Sequence, residues 1–270
     1  MDNRPIGIMD SGIGGLTAVK ALMDMMPNES FIYVGDVARL PYGPRSQEEV
    51  AQFVLEIGHF LEKQGVKLLL IACNTATVAG LEKAQEALSI PVIGMIHPGA
   101  KAASQATRNH HYGVFATEGT VKSKAYTQTI QSFDAQSKVS EVACPSFVTL
   151  VEQDHWNDCY TSVAVQEAFE QFEDKDIDTL ILGCTHFPIL QPAIVEQLPR
   201  EMTLINPGAE SIFEVKQTLE NREALSNTEA QHVFYTTGDC EGFQHFVTNW
   251  LEILNPVVRH LDEKELHYED

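Results

Sequence analysis

The sequence predicts an α/β fold: two pseudo-symmetric three-layer α/β/α domains with mostly parallel sheets and an active site in the cleft between them. Three observations carry this. Short β-rich runs alternate with helix-like stretches, the pattern of a parallel sheet covered by helices. The order of landmarks restarts near the middle of the chain. Two apolar runs, residues 66–75 (VKLLLIACNT) and 177–186 (IDTLILGCTH), echo each other, and each delivers one cysteine, Cys73 and Cys184, at its end.

In the first half, residues 6–10 (IGIMD) read as a strand, followed by a glycine-rich turn and a helix over about 16–25. Residues 30–35 (SFIYVG) are a second strand. Residues 46–64 read as a helix: Ser46 is an N-cap with Glu49 three residues on. Val50, Phe53, Val54, Ile57, Phe60 and Leu61 make a 3.6-period stripe. Residues 66–72 are apolar on both faces, as a fully buried strand must be. Residues 90–96 (IPVIGMI) are read as one more strand.

In the second half, residues 112–116 (YGVFA) open like 6–10, with Gly113 in the place of Gly7. A strand begins at 139–142, the cysteine strand recurs at 177–183, and 202–206 (MTLIN) adds another. Each half closes alike, on His97-Pro98-Gly99-Ala100 and on Asn206-Pro207-Gly208-Ala209, which mark crossings between the units. The remainder holds a strand-like 232–236 and an amphipathic 243–254. It is too small for a third domain and is expected to pack back on the first. The expected division is 1–98 plus 209–270, and 99–208.

The chain has 270 residues, 44% hydrophobic and 21% charged, values of a globular protein with one large domain or two ordinary ones. A formal charge of −20, partly in the acidic tail 262–270, argues against nucleic acid as a main partner, because phosphate binding needs a basic face. No apolar run approaches the ~18 residues of a membrane span. The opening MDNRPIGIMD lacks the regions of a signal peptide, so a cytoplasmic location is expected. The five cysteines are Cys73, Cys144, Cys159, Cys184 and Cys240. An odd count and no C-x-x-C pair point to free thiols rather than disulfides or structural zinc, and no metal site is expected.

Parallel sheets present ligand sites at the carboxyl ends of their strands, and the polar clusters fall there. Asp10-Ser11, Asp36, Cys73-Asn74-Thr75, Thr117 with Thr120, and Cys184-Thr185-His186 each follow a strand. The run Asp-Ser-Gly-Ile-Gly-Gly lacks the Lys-Ser/Thr end of a phosphate loop and reads as a tight strand-to-helix turn. The alternative is that its free N–H groups receive a small anionic ligand. Cys144, Cys159 and Cys240 read as small hydrophobes. Cys73 and Cys184 read as working thiols, with a helix N-terminus expected to lower the thiol pKa towards the pH at which acid–base chemistry operates.

The segments DSGIGGL, GDVARLPYG, ACNTAT, ACPSFVTLVE and GCTHFPIL together resemble the cofactor-independent glutamate racemases, over essentially the whole chain. The resemblance implies interconversion of L- and D-glutamate without cofactor or metal, supplying D-glutamate for peptidoglycan. It implies Cys73 and Cys184 as the acid/base pair, supported by Asp10, Asp36, Glu152 and His186. It implies a substrate site lined by Asp10, Ser11, Tyr42, Gly43, Asn74, Thr75, Thr117, Thr120, Thr185 and His186.

The residues suit that chemistry. Removing an α-proton leaves a carbanion whose charge must be stabilised. Inversion needs one thiolate and one thiol on opposite faces of one carbon. His186 is placed to share a proton with Cys184, and Asp10 to match it for Cys73. Asn74, Thr75, Thr117 and Thr120 are neutral donors for an α-carboxylate, and the Tyr42-Gly43 backbone for the side-chain carboxylate. Three other readings stay open: a racemase for aspartate or another acidic amino acid, a two-lobed binding module, and a thiol redox protein. A cleft between two lobes also invites a homodimer, which would limit their motion.

Overall fold

The computed structural model describes residues 1–156 and 158–266; residues 267–270 of the acidic tail lie outside the described residues. Among the described residues ten strands build two sheets. The first contains β1 (Ile6–Asp10), β2 (Phe31–Gly35), β3 (Leu68–Ile71) and β4 (Val92–Ile93). The second contains β5 (His111–Ala116), β6 (Lys138–Ala143), β7 (Thr179–Gly183) and β8 (Thr203–Ile205). Near the C-terminus, β9 (His232–Thr236) and β10 (Val257–His260) return to the first sheet.

The sheet orders are β10-β9-β2-β1-β3-β4 and β6-β5-β7-β8, and every described pair is parallel. The run β2-β1-β3-β4 therefore repeats as β6-β5-β7-β8. The register repeats too: Gly7 faces Leu69 across β1 and β3, and Gly113 faces Leu180 across β5 and β7. Cys73 and Cys184 consequently leave equivalent strands at equivalent heights. This is the pseudo-symmetric pair of α/β/α units expected from the echo of the cysteine segments.

The central strands β1, β3 and β7 are buried on both faces. Ile6, Ile8, Leu68 and Leu70 pack under the helices Leu16–Met25 and Pro207–Asn221. Met9, Leu69 and Ile71 pack on the opposite face against Val50, Val54, Ile57 and Leu61 of the helix Gln47–Lys63. That helix starts where expected: the Ser46 hydroxyl accepts the Glu49 N–H at 3.2 Å. The Glu49 carboxylate does not close a capping box; it pairs with Arg45 four residues earlier. Phe115, Leu180 and Leu182 fill one side of the second sheet, and Tyr112, Val114 and Ile181 the other. Leu261 and Leu266 anchor the start of the acidic tail in the first core.

Two expectations change. The strand over 90–96 is only Val92–Ile93, and a helix already begins at Ile96 (Ile96–Ala106). Both Pro-Gly-Ala motifs therefore lie in the first turns of helices rather than in free crossings, positions where proline is tolerated because its missing N–H would have no partner. Asn206 caps the second of these helices by accepting the Gly208 N–H at 3.0 Å. The two motifs meet: a Cβ on Gly99 would lie 3.0 Å from the Pro207 ring. The amphipathic stretch near the C-terminus is the helix Cys240–Leu251. Among the described residues no helix is long and apolar enough to cross a membrane.

Candidate active site

The carboxyl ends of β1, β2 and β3 and those of β5 and β7 converge on one narrow cleft between the sheets. Cys73 and Cys184 both line it, and both are nearly inaccessible, at 6% and 7% exposure. Cys73 is the N-cap of the helix Asn74–Ala87, its sulfur accepting the Ala76 N–H at 3.4 Å. Cys184 leaves β7 into a tight turn of 3₁₀ helix, Phe187–Leu190, so its surroundings differ from those of Cys73 although the strands are equivalent.

On the Cys184 side, the sulfur lies 3.7 Å from His186 Nδ1, and His186 Nε2 lies 2.6 Å from Glu152 Oε1. The imidazole is buried, which opposes its charge. The sulfur on one nitrogen and the carboxylate on the other outweigh that and raise its pKa well above the ordinary value. The ring is held against the glycine-rich turn of the first unit. A Cβ on Gly14 would fall 2.6 Å from both His186 Nδ1 and Thr185 Oγ1. Gly14→Ala is expected to cost about 1–3 kcal/mol in denaturant unfolding, the usual cost of overpacking. Wild-type stability in that variant would show that the two units do not meet here as described.

On the Cys73 side, the thiol is 3.9 Å from the Ser11 hydroxyl. Asp10 stands behind, fully buried. Its Oδ2 accepts the Gly12 and Gly15 N–H groups at 3.0 Å each, and its Oδ1 accepts the Thr185 hydroxyl, from the other unit, at 3.3 Å. Two of the turn's N–H groups, those of Gly12 and Gly15, are thus occupied by the chain's own carboxylate. Burial raises the Asp10 pKa, against the pull of His186 and of the two amides.

The expected lowering of the Cys73 pKa is reversed. Burial first, then the Asp10 and Cys184 charges, push this thiol up. The Ala76 N–H and the Ser11 hydroxyl favour the thiolate but do not compensate. A helix N-terminus lowers a thiol pKa only where desolvation does not exceed its field.

A cluster of polar groups borders the thiols. Asn74, Thr75 and Thr117 line the cleft, with the Thr75 and Thr117 hydroxyls 2.9 Å apart. Thr117 donates to Thr120 Oγ1 at 3.1 Å, which places the fully buried Thr120 behind the lining. Asn74 Oδ1 accepts the Tyr126 hydroxyl at 2.7 Å, while its Nδ2 is buried with no hydrogen-bond partner. Tyr42 and Gly43 form another wall. Beneath Tyr42 lies Asp36, which accepts the Tyr42 hydroxyl, the Arg39 Nε–H at 2.6 Å and the Thr237 hydroxyl at 2.9 Å.

Of the residues singled out in the sequence, Ser11, Tyr42, Gly43, Cys73, Asn74, Thr75, Thr117, Cys184, Thr185 and His186 border the cleft directly. Asp10, Asp36, Thr120 and Glu152 stand one residue behind. The expected site residues did not include Leu40, Pro41 and Val148, which also line it, or Tyr126, Arg39 and Gly14, which contact lining residues or the groups behind them. Val148 and Tyr126 are single apolar or aromatic side chains on helices, which carry no local sign of such a role. One group among the described residues has metal-ligand spacing: His111, Asp174 and Asp176. It sits at the start of β5, the opposite end of the sheet from Cys184, and His111 Nδ1 already contacts Asp174 Oδ2 at 2.7 Å.

A family profile for Asp/Glu/hydantoin racemases matches residues 16–212. A glutamate racemase of Carnobacterium sp. (strain St2) is 44% identical over 265 residues, covering 97% of this chain and 99% of the relative. Among solved structures, a glutamate racemase isoform of Bacillus anthracis superposes with a TM-score of 0.93 at 41% identity, over 97% of this chain and 98% of that one. A glutamate racemase of Francisella tularensis in complex with D-glutamate gives 0.89 at 35% identity, over 97% and 98%. The shared architecture and the matched span have one reading: the chain belongs to the Asp/Glu/hydantoin racemase family.

Proposed function

We propose that this chain is a glutamate racemase that inverts the α-carbon by two-base proton transfer between Cys73 and Cys184. The observation that carries the reading is the pair of buried thiols, from pseudo-equivalent strand ends, on one cleft that also holds an unpaired amide donor. The similarity to glutamate racemases over nearly the whole chain supports glutamate as the substrate.

In this mechanism the α-carboxylate sits against Asn74, Thr75 and Thr117, and the side-chain carboxylate against the Tyr42-Gly43 backbone. One sulfur, as thiolate, takes the α-proton, and the other, as thiol, returns a proton to the opposite face. After one turnover the two have exchanged protonation states, and the reverse direction starts from there. His186, its proton held by Glu152, shares the charge of Cys184. Cys73 rests as the thiol, because burial beside Asp10 disfavours its anion. The amide and hydroxyl donors offset the charge that builds on the carboxylate as the carbanion forms. The steps require no cofactor.

We assign the domains as 1–98 plus 209–270, and 99–208, on the return of β9 and β10 to the first sheet. A cytoplasmic homodimer supplying D-glutamate for peptidoglycan completes the reading; sedimentation at two protein concentrations checks the dimer. The decisive experiment is L-glutamate with purified protein in D2O and no added cofactor. Loss of optical activity with deuterium at Cα is expected. Binding without inversion or exchange would overturn the proposal, and a faster reaction with L-aspartate would favour the aspartate reading.

A further inference from the structure

We propose that Tyr126 is a positioning residue: reaching across from the second unit, it sets the orientation of the Asn74 amide so that its NH2, not its oxygen, faces the substrate's α-carboxylate. The inference rests on the racemase reading above and names a residue that touches neither substrate nor sulfur.

Asn74 follows Cys73 directly and opens the helix Asn74–Ala87 of the first unit. Its side chain lines the cleft and is only 2% exposed. The two ends of a primary amide have nearly the same shape, so packing alone does not choose which one faces the cleft. Tyr126 chooses. It lies in the helix Ala125–Phe133 of the second unit, is fully buried, and donates its hydroxyl proton to Asn74 Oδ1 at 2.7 Å. That occupies the oxygen and leaves Nδ2, which has no partner, as the free donor. A buried NH2 without an acceptor is costly, and a carboxylate is the acceptor it lacks. A reversed amide would turn its oxygen towards the carboxylate and repel it.

The phenol is suited to this single task. Burial first, then the Cys184 and Glu141 charges, keep its pKa well above the ordinary value, so it stays a donor. Its ring is also fixed. A Cβ on Gly183, the last residue of β7 before Cys184, would lie 3.0 Å from Tyr126 Cε2, and one on Gly99 would lie 3.4 Å from the hydroxyl. The same side chain thus touches the end of one cysteine strand and the residue after the other cysteine. The Tyr126–Asn74 bond joins the two units across the cleft.

The test is Tyr126→Phe, which keeps the ring and removes the hydroxyl, assayed with both enantiomers of glutamate. KM is expected to rise about fivefold for L- and for D-glutamate, the worth of one positioned hydrogen bond. kcat should change by no more than about twofold, since the bond serves ground state and transition state alike. In an Asn74→Ala background the same substitution is expected to raise KM no further, which loss of stability alone would not produce. Unchanged KM in Tyr126→Phe, or KM increases that multiply in the double variant, would overturn the inference. If wild-type protein does not racemise glutamate, the functional reading fails instead. Should Tyr126→Phe not fold, a crystal structure of wild-type protein with D-glutamate decides: Asn74 Nδ2 on the α-carboxylate with Tyr126 on Oδ1 supports the inference, and an amide turned the other way overturns it.

Discussion

Replacing Cys184 by serine is expected to lower racemisation of both enantiomers by about 10²–10⁴-fold, the range carried by a positioned acid or base. A serine hydroxyl is a far weaker acid than a thiol and does not supply the anion that one face requires. Cys73→Ser should be equally damaging, because inversion fails when either face lacks its group. The two enantiomers of free glutamate have the same energy. The equilibrium constant is therefore unity, and kcat/KM must be equal in the two directions for wild type and for every variant. Circular dichroism time courses from L- and from D-glutamate measure this directly. Full activity in either serine variant would remove the two-base mechanism, while intact secondary structure in both would exclude unfolding as the cause of the loss.

His186→Asn is the second large effect. The imidazole lies between the Cys184 sulfur and Glu152 and is favoured in its charged form by both. Asparagine can hydrogen-bond but cannot hold a proton, so kcat is expected to fall about 10²-fold, at the lower end of acid–base contributions. Its companion, Glu152→Gln, removes one of the two groups that raise the imidazole pKa. That pKa then falls, and the basic limb of the kcat profile moves to lower pH. A profile that moves up, or stays in place, would separate Glu152 from the chemistry. Stability follows the same sign. The native pKa of His186 lies above its unfolded value, so the stability it contributes is complete below about pH 6.5 and is lost as pH rises through the native value. His186→Asn should flatten that dependence in unfolding curves taken across the neutral and basic range.

Most of the architecture was legible because it depends on local pattern. The continuous apolar runs at β3 and β7 announced strands buried on both faces. The Ser46 cap and its 3.6-period stripe placed a helix within one residue at each end. The fourth strand was overlong because residues 90–96 are apolar throughout, and a run of that length does not distinguish a strand from the start of a buried helix. β10 left no signal: three of its four residues, Val257, Arg259 and His260, are exposed on a sheet edge. The lowered pKa expected for Cys73 failed for a different reason. It followed from the helix that begins there, but burial and the Asp10 carboxylate are set by a strand some sixty residues away and exceed the helix's effect.

By itself, the sequence determined that two α/β units repeat one plan and that each ends a buried strand in a cysteine. Both are properties of residues adjacent along the chain, where apolar period and strand-end position carry the information. Only the tertiary structure decided how the two thiols differ. Cys184 faces an imidazole held by Glu152, and Cys73 sits by the Ser11 hydroxyl with the Asp10 carboxylate behind it. The bonds from Thr185 to Asp10 and from Tyr126 to Asn74 join residues far apart in the chain. Hydrogen-bond partners and desolvation depend on which surfaces meet when the units close, and no local pattern records that.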